Sequence, residues 1–162
     1  MGLNKKEMAS YGIAGNGNMT SINLNEVTKV ETSAIVDIVK LKTIKLPKDL
    51  KKDGLRQGAF ERCNALEAYE VAEGNTDFSA VEGVLFSENK EILYFYPLAK
   101  PNTSYTIPST VKEIAAKAFQ GAAKLTSLVI PTSVEKIQEQ AFRQNYKLAS
   151  VTFCEPSKIT NL

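Results

Sequence analysis

A pattern of apolar residues recurs when the chain is shifted against itself by 23 positions, and a fold for this chain must honour it. Leu125-x-x-Leu128-x-Ile130-Pro131 falls on Leu148-x-x-Val151-x-Phe153. Tyr105-x-Ile107-Pro108 falls on Leu128-x-Ile130-Pro131. Val111 then meets Val134, Ile114 meets Ile137, and Ala118-Phe119 meets Ala141-Phe142. The shared template is L-x-x-I-x-I-P-x-x-V-x-x-I-x-x-x-A-F-x-x-x-x-x-L. Self-similarity at a fixed period of this length is the signature of stacked repeat architectures.

Upstream copies slip. Leu41-x-x-Ile44-x-Leu46-Pro47 leads to Leu50, Ala59-Phe60 and Leu66, with two surplus residues absorbed around Lys52-Asp53-Gly54. Met19-x-x-Ile22-x-Leu24 leads to Val27, Val30, Ala34-Ile35 and Leu41, one residue short. The match fades before about residue 19. Residues 1–18 therefore read as a leader or N-terminal cap, with Gly12, Gly15 and Gly17 making it flexible. Residues 19–162 read as a single repeat domain. One copy, about residues 72–104, is enlarged. Gly83-Val84-Leu85-Phe86 and Ile92-Leu93-Tyr94-Phe95-Tyr96-Pro97 flank the polar stretch Ser87-Glu88-Asn89-Lys90-Glu91. Two apolar runs around a short polar turn predict a β-hairpin.

The last two apolar residues of L-x-x-I-x-I are two apart, which is strand periodicity. Proline closes the strand because it cannot donate to a ladder. V-x-x-I returns along the opposite side, and Ala-Phe inserts a small and a large residue in a short helical or 3₁₀ turn. One copy cannot bury its own apolar face, whereas stacked copies bury a continuous core. Phe60, Phe119 and Phe142 are expected to stack as a spine.

These motifs resemble the leucine-rich repeats of the BspA-like (treponemal-type) family of bacterial surface proteins. The resemblance rests on Tyr105-Thr106-Ile107-Pro108-Ser109-Thr110-Val111-Lys112-Glu113-Ile114 with Ala118-Phe119. It also rests on Ala59-Phe60-Glu61-Arg62-Cys63-Asn64-Ala65-Leu66, and on Gly83-Val84-Leu85-Phe86 followed by Tyr96-Pro97. It covers roughly residues 19–162 and implies an α/β, strand-dominated leucine-rich-repeat solenoid with short helical or 3₁₀ turns and one hairpin-bearing repeat. It further implies an exported bacterial protein, secreted or on the cell surface, engaged in adhesion to host or bacterial partners.

Composition excludes several chemistries. Histidine is absent, which removes Ser-His-Asp and Cys-His catalysis and histidine metal sites. Twenty basic against eighteen acidic residues give a net charge of +2, too balanced to imply nucleic acid. No apolar run approaches the roughly 18 residues of a membrane span. Cys63 and Cys154 make no CxxC motif. Cys63 reads as a buried, inert thiol, and a disulfide to Cys154 is not expected between distant repeats. No catalytic residue, metal ligand or cofactor is assigned. Carboxylates such as Glu67 and Glu70, or Glu135 and Glu139, read as an exposed face.

The candidate ligand-binding surface is the strand face. Its solvent-pointing residues read Ser21 and Asn23, Thr43 and Lys45, Ala68 and Glu70, Ser104 and Thr106, Ser127 and Val129, Ser150 and Thr152. The hairpin aromatics Tyr94, Phe95 and Tyr96 are the second candidate, since alternation should make one face of the hairpin project outward or cap a neighbouring turn. The leading expectation is a non-enzymatic extracellular or cell-surface module that binds a protein or glycan ligand, host-derived in the adhesion reading. A structural spacer within a larger surface protein is the alternative, and a carboxylate-based glycosidase ranks third. The sequence stops partway through a repeat at Phe153-Cys154-Glu155-Pro156 and beyond. A longer parent, or an open apolar edge able to self-associate, is expected from that.

Overall fold

A computed structural model describes residues 6–160. Residues 1–5 of the leader and 161–162 of the last repeat lie outside the described residues. The chain runs through β1 (Lys6–Met8), β2 (Ile13–Ala14), β3 (Ser21–Asn23), β4 (Val27–Val30), β5 (Ile35–Val36), β6 (Thr43–Leu46), β7 (Phe60–Glu61) and β8 (Ala68–Val71). The enlarged repeat supplies β9 (Phe78–Val81), β10 (Val84–Ser87) and β11 (Ile92–Phe95). Then come β12 (Ser104–Thr106), β13 (Glu113–Ile114), β14 (Ser127–Ile130), β15 (Lys136–Ile137) and β16 (Ser150–Phe153). The result is a strand-dominated solenoid of about six turns, as the repeat implied.

Register follows the sequence period. Tyr105 lies opposite Leu128, and Leu128 opposite Val151, in parallel β12, β14 and β16. Ile22, Ile44 and Tyr69 line up the same way across β3, β6 and β8. The V-x-x-I segments form a second side, where Ile114 pairs with Ile137. The Ala-Phe segments form a third, where Ile35 pairs with Phe60.

The leader joins the stack. β1 pairs with β4 and β2 with β5, both parallel. The Ile13 and Gly15 N–H groups donate to the Ala34 and Val36 carbonyls. The expectation of a flexible glycine-rich leader is thus corrected for this stretch. Parallel pairing uses backbone groups, so a turn that lacks the apolar template can still extend the ladder.

Left-handed residues bracket the Ala-Phe segments. Ser33, Gly58, Lys117 and Gln140 precede them with φ of 55°, 68°, 60° and 57°. Asp37, Arg62, Gly121 and Gln144 follow with φ of 58°, 52°, 71° and 63°. These reversals bend the chain without helix. The one 3₁₀ turn among the described residues, Lys52–Gly54, falls where the sequence carried its two surplus residues. Gly54 is required there, because a Cβ would lie 2.3 Å from the Thr28 carbonyl oxygen.

The enlarged repeat divides the core in two. β10 is buried along its whole length, paired to β9 on one side and β11 on the other. Successive side chains of a strand point to opposite faces. Leu85 accordingly belongs to the N-terminal core with Ile44, Leu46 and Phe60. Val84 and Phe86 belong to the C-terminal core with Ile114, Phe119 and Leu128. The hairpin is therefore the wall shared by two apolar interiors and not an appendage.

The expected phenylalanine spine is corrected at this wall. Phe119 and Phe142 stack at 5.4 Å. Phe60 instead meets Phe95 at 5.4 Å, and Tyr96 meets Phe119 at 5.0 Å. Phe95 and Tyr96 stand between Phe60 and Phe119 because the enlarged repeat contributes its own turn to the stack.

Phe119 is fully buried and Phe142 only partly. Phe119→Ala should cost about 3–5 kcal/mol in chemical denaturation, the usual range for truncating a buried phenylalanine. Phe142→Ala should cost less than half of that.

Candidate functional site

The strand face forms as two patches. Ser21, Thr43 and Ala68 make one row and Asn23, Lys45 and Glu70 the next. Ser104, Ser127 and Ser150 make a third row, and Thr106, Val129 and Thr152 a fourth. Every one of these residues is exposed or half-buried, while the side chains between them are largely inward. The expected single ladder is broken between β8 and β12. The Glu82-Gly83 turn of the β9–β10 hairpin closes the outer edge of β8, with the Tyr69 N–H donating to the Gly83 carbonyl at 2.9 Å. Buried Lys100 donates to the Glu82 carbonyl and pins the turn. Both turn residues have positive φ, 50° and 80°, the demand of a tight hairpin. A Gly83 Cβ would lie 2.9 Å from that of Ala68, so glycine is needed. Glu82-Gly83 was a readable turn signal that points to β9.

Of the two arrangements expected for the hairpin aromatics, outward projection is not seen, and Phe95 and Tyr96 pack against the neighbouring turns at Phe60 and Phe119. Phe95 and Tyr96 are buried, and Tyr94 is half-buried with its ring 5.3 Å from Phe78. β11 lies between β10 and β13, with Leu93 and Phe95 turned into the core and Ile92 and Tyr94 half-buried on its other face. Phe95 and Tyr96 instead line a cleft.

That cleft follows from one residue in the wrong-sized slot. Phe119 donates its N–H to the Ala141 carbonyl, and Tyr96 donates to the Ala118 carbonyl. Tyr96 thus holds the phenylalanine position of its turn, and Phe95 the preceding one. The neighbouring turns carry Ala34, Ala59, Ala118 and Ala141 there. A ring in the alanine slot holds the turns apart, and β7 ends its sheet with no strand on its outer side among the described residues. The opening is a cleft of about 370 Å³. Phe60, Tyr69, Phe95 and Tyr96 form its apolar wall. Asn64, Gln120, Gln144, Tyr146 and Lys147 line it with polar groups. The sequence hid this site because only two residues separate Leu93 from Tyr96, where four separate Ile114 from Phe119.

Charge at the cleft is paired but lopsided. Lys117 reaches across to Glu61 at 3.1 Å, and Arg62 approaches the other Glu61 oxygen at 3.7 Å. Arg62 makes two hydrogen bonds to Asp37, 2.7 and 2.8 Å long, which hold the Asp37 carboxyl below its usual range. Glu61 is the only carboxylate among the lining residues. Glu67, Glu70, Glu135 and Glu139 are all exposed to solvent, away from the cleft lining. Among the described residues no cluster of carboxylates and cysteines could hold a metal ion, and no helix is long and apolar enough to cross a membrane.

Cys63 is buried and its thiol is pushed up by desolvation, while Cys154 is half-buried; both are free. A thiol probe should label Cys154 in the native protein and Cys63 only after unfolding, as mass spectrometry would read. Tyr96 carries a buried hydroxyl with no hydrogen-bond partner, and burial raises its pKa from 10.0 to about 12. The unfolded phenol ionises first, so the Tyr96 contribution is intact below pH 10 and is lost as pH rises toward 12. Tyr96→Phe should be neutral or slightly stabilising at pH 7, since the unpaired hydroxyl is a cost. Its advantage in denaturation midpoint should grow between pH 10 and 12.

A model of the BspA type leucine rich repeat region matches residues 4–95 and 94–162, in six copies. A leucine-rich repeat protein from Eubacterium ventriosum is similar at 24% identity and a TM-score of 0.67, over 84% of this chain and 43% of that one. The pneumococcal vaccine antigen PcpA is similar at 26% identity and a TM-score of 0.72, over 91% of this chain and 48% of that one. A leucine rich cell surface protein from Faecalibacterium prausnitzii is similar at 22% identity and a TM-score of 0.64, over 83% and 41%. The chain thus spans less than half the length of each structure it matches. A comparison with curated proteins finds no match.

Proposed function

The chain belongs to the BspA-type leucine-rich-repeat family, and from that premise we propose that it is a non-enzymatic recognition segment of a cell-surface or extracellular protein. It resembles bacterial surface antigens in its repeats. Its ligand in this reading is a protein or a glycan. The observation that carries the reading is the in-register display of Ser21, Asn23, Thr43, Lys45 and Glu70 on one patch and Thr106, Ser127, Ser150 and Thr152 on the other. Parallel strands hold these side chains at fixed spacing at no cost to the core. The lone Glu61 in the cleft supports the non-enzymatic part, since glycoside hydrolysis usually calls on two facing carboxylates.

A spacer role is favoured by one observation. Neither strand-face patch carries an aromatic residue or arginine, the types that dominate tight protein interfaces. The two readings separate in one experiment. Surface plasmon resonance of the full-length parent against host matrix proteins and a glycan panel should find a ligand. Changing Thr43, Lys45 and Glu70 together to alanine should weaken that binding at least tenfold. Undiminished binding by the triple variant favours the spacer, and no binding by the parent overturns recognition.

A further inference from the structure

We propose that the cleft beside β7 binds an extended peptide segment, which adds to β7 as a strand and sets an aromatic side chain against the cleft wall with a carboxylate toward Lys147. This rests on the recognition reading and names a ligand class and a place for it.

Three observations select that occupant. The first is the backbone. Ile35 and Asp37 donate their N–H groups to the Ala59 and Glu61 carbonyls of the next turn. Phe119 and Gly121 do the same to Ala141 and Arg143. The equivalent N–H groups belong to Phe60 and Arg62, and they face the side of β7 that has no strand partner among the described residues. An edge of this kind is completed by an added strand, with main-chain bonds giving affinity and a pocket giving selectivity. A sugar ring cannot reproduce that alternation of carbonyl and amide.

The second is the wall. Phe60, Tyr69, Phe95 and Tyr96 border a volume of about 370 Å³, within the range of small-ligand sites. Phe60, Tyr69 and Phe95 pack with ring centroids 5.4 to 5.8 Å apart, so a further ring would extend an existing cluster. The third is charge. The lining holds Arg62, Lys117 and Lys147 against Glu61. Asp37 engages Arg62 and Glu61 engages Lys117, which leaves Lys147 exposed and without an ion-pair partner among the described residues.

The test is selection of a phage-displayed random 12-residue peptide library on the immobilised 162-residue chain. Recovered peptides are then synthesised and titrated by fluorescence polarisation. An aromatic residue beside Asp or Glu should recur among them. Ala123→Trp, an exposed position on the cleft lining, should weaken binding at least tenfold, and Lys147→Glu several-fold. Amide hydrogen exchange at Phe60 and Arg62 should slow at least tenfold with peptide bound. Should Ala123→Trp fail to fold, Lys147→Glu and the exchange data decide alone. The proposal is overturned if no peptide is enriched, or if the variants bind as tightly as wild type. It is likewise overturned if a heparin-derived tetrasaccharide occupies the cleft and no peptide does. If the parent's surface ligand binds Ala123→Trp unchanged and no peptide is enriched, the cleft proposal falls while surface recognition stands. If peptides bind as expected but the parent engages no protein or glycan surface, the broader reading falls instead.

Discussion

No single turn of this protein can bury its own apolar side, and the whole structure depends on that deficit. Ile44 is covered because Ile22 and Tyr69 flank it, and Leu128 because Tyr105 and Val151 do. Stability in such a stack lies in the interfaces between neighbours. Wherever the stack changes, some element must keep both sides covered. Here that element is β10, which sends Leu85 into one interior and Val84 and Phe86 into the other. A strand buried on both faces needs an unbroken apolar run, and Val84-Leu85-Phe86 is one.

The same region relaxes the stack on a different side. A phenylalanine where other turns place alanine cannot be accommodated at the regular spacing, so the Ala-Phe side opens beside β7. On the V-x-x-I side β11, β13 and β15 pair in one sheet with the hairpin, while β1 and β4 form a separate one. The insertion thus keeps both interiors covered through β10 and leaves a concavity on the Ala-Phe side. The lining joins buried rings to exposed polar groups, a combination that the flat strand-face patches lack. Polar groups that converge on an apolar concavity are what recognition sites generally require.

The regular turns were legible because their spacing is exact in sequence and in space. Ser104, Ser127 and Ser150 lie side by side at the offset that the repeat dictates. Gly83 to Pro97 was legible as a hairpin from its composition alone. Its consequences were not. Alternation predicts two faces for Tyr94, Phe95 and Tyr96, but it does not say what will pack over them. That depends on Phe60 and Tyr69, which pack against Phe95, and on Phe119, which packs against Tyr96, all from other stretches of chain. The turn formed by β1 and β2 was hidden for the opposite reason. It is held by backbone hydrogen bonds and, among its described residues, by Met8 and Ile13 alone against the core, too few apolar positions to show the repeat.

The left-handed residues that bracket the Ala-Phe segments bear on how such a chain can grow or shrink. Ser33, Asp37, Arg62, Lys117, Gln140 and Gln144 are not glycine, and each holds a conformation unfavourable by about 1 kcal/mol or more for a residue with a side chain. Only hydrogen bonds and burial against adjacent turns can sustain them. A turn cut in the middle would lose that support and let these residues revert to ordinary conformations. A turn gained or lost whole leaves every remaining bend supported. The viable unit of change is therefore the complete coil, and a gene for such a chain would lengthen by duplication far more readily than by short insertions within the bends.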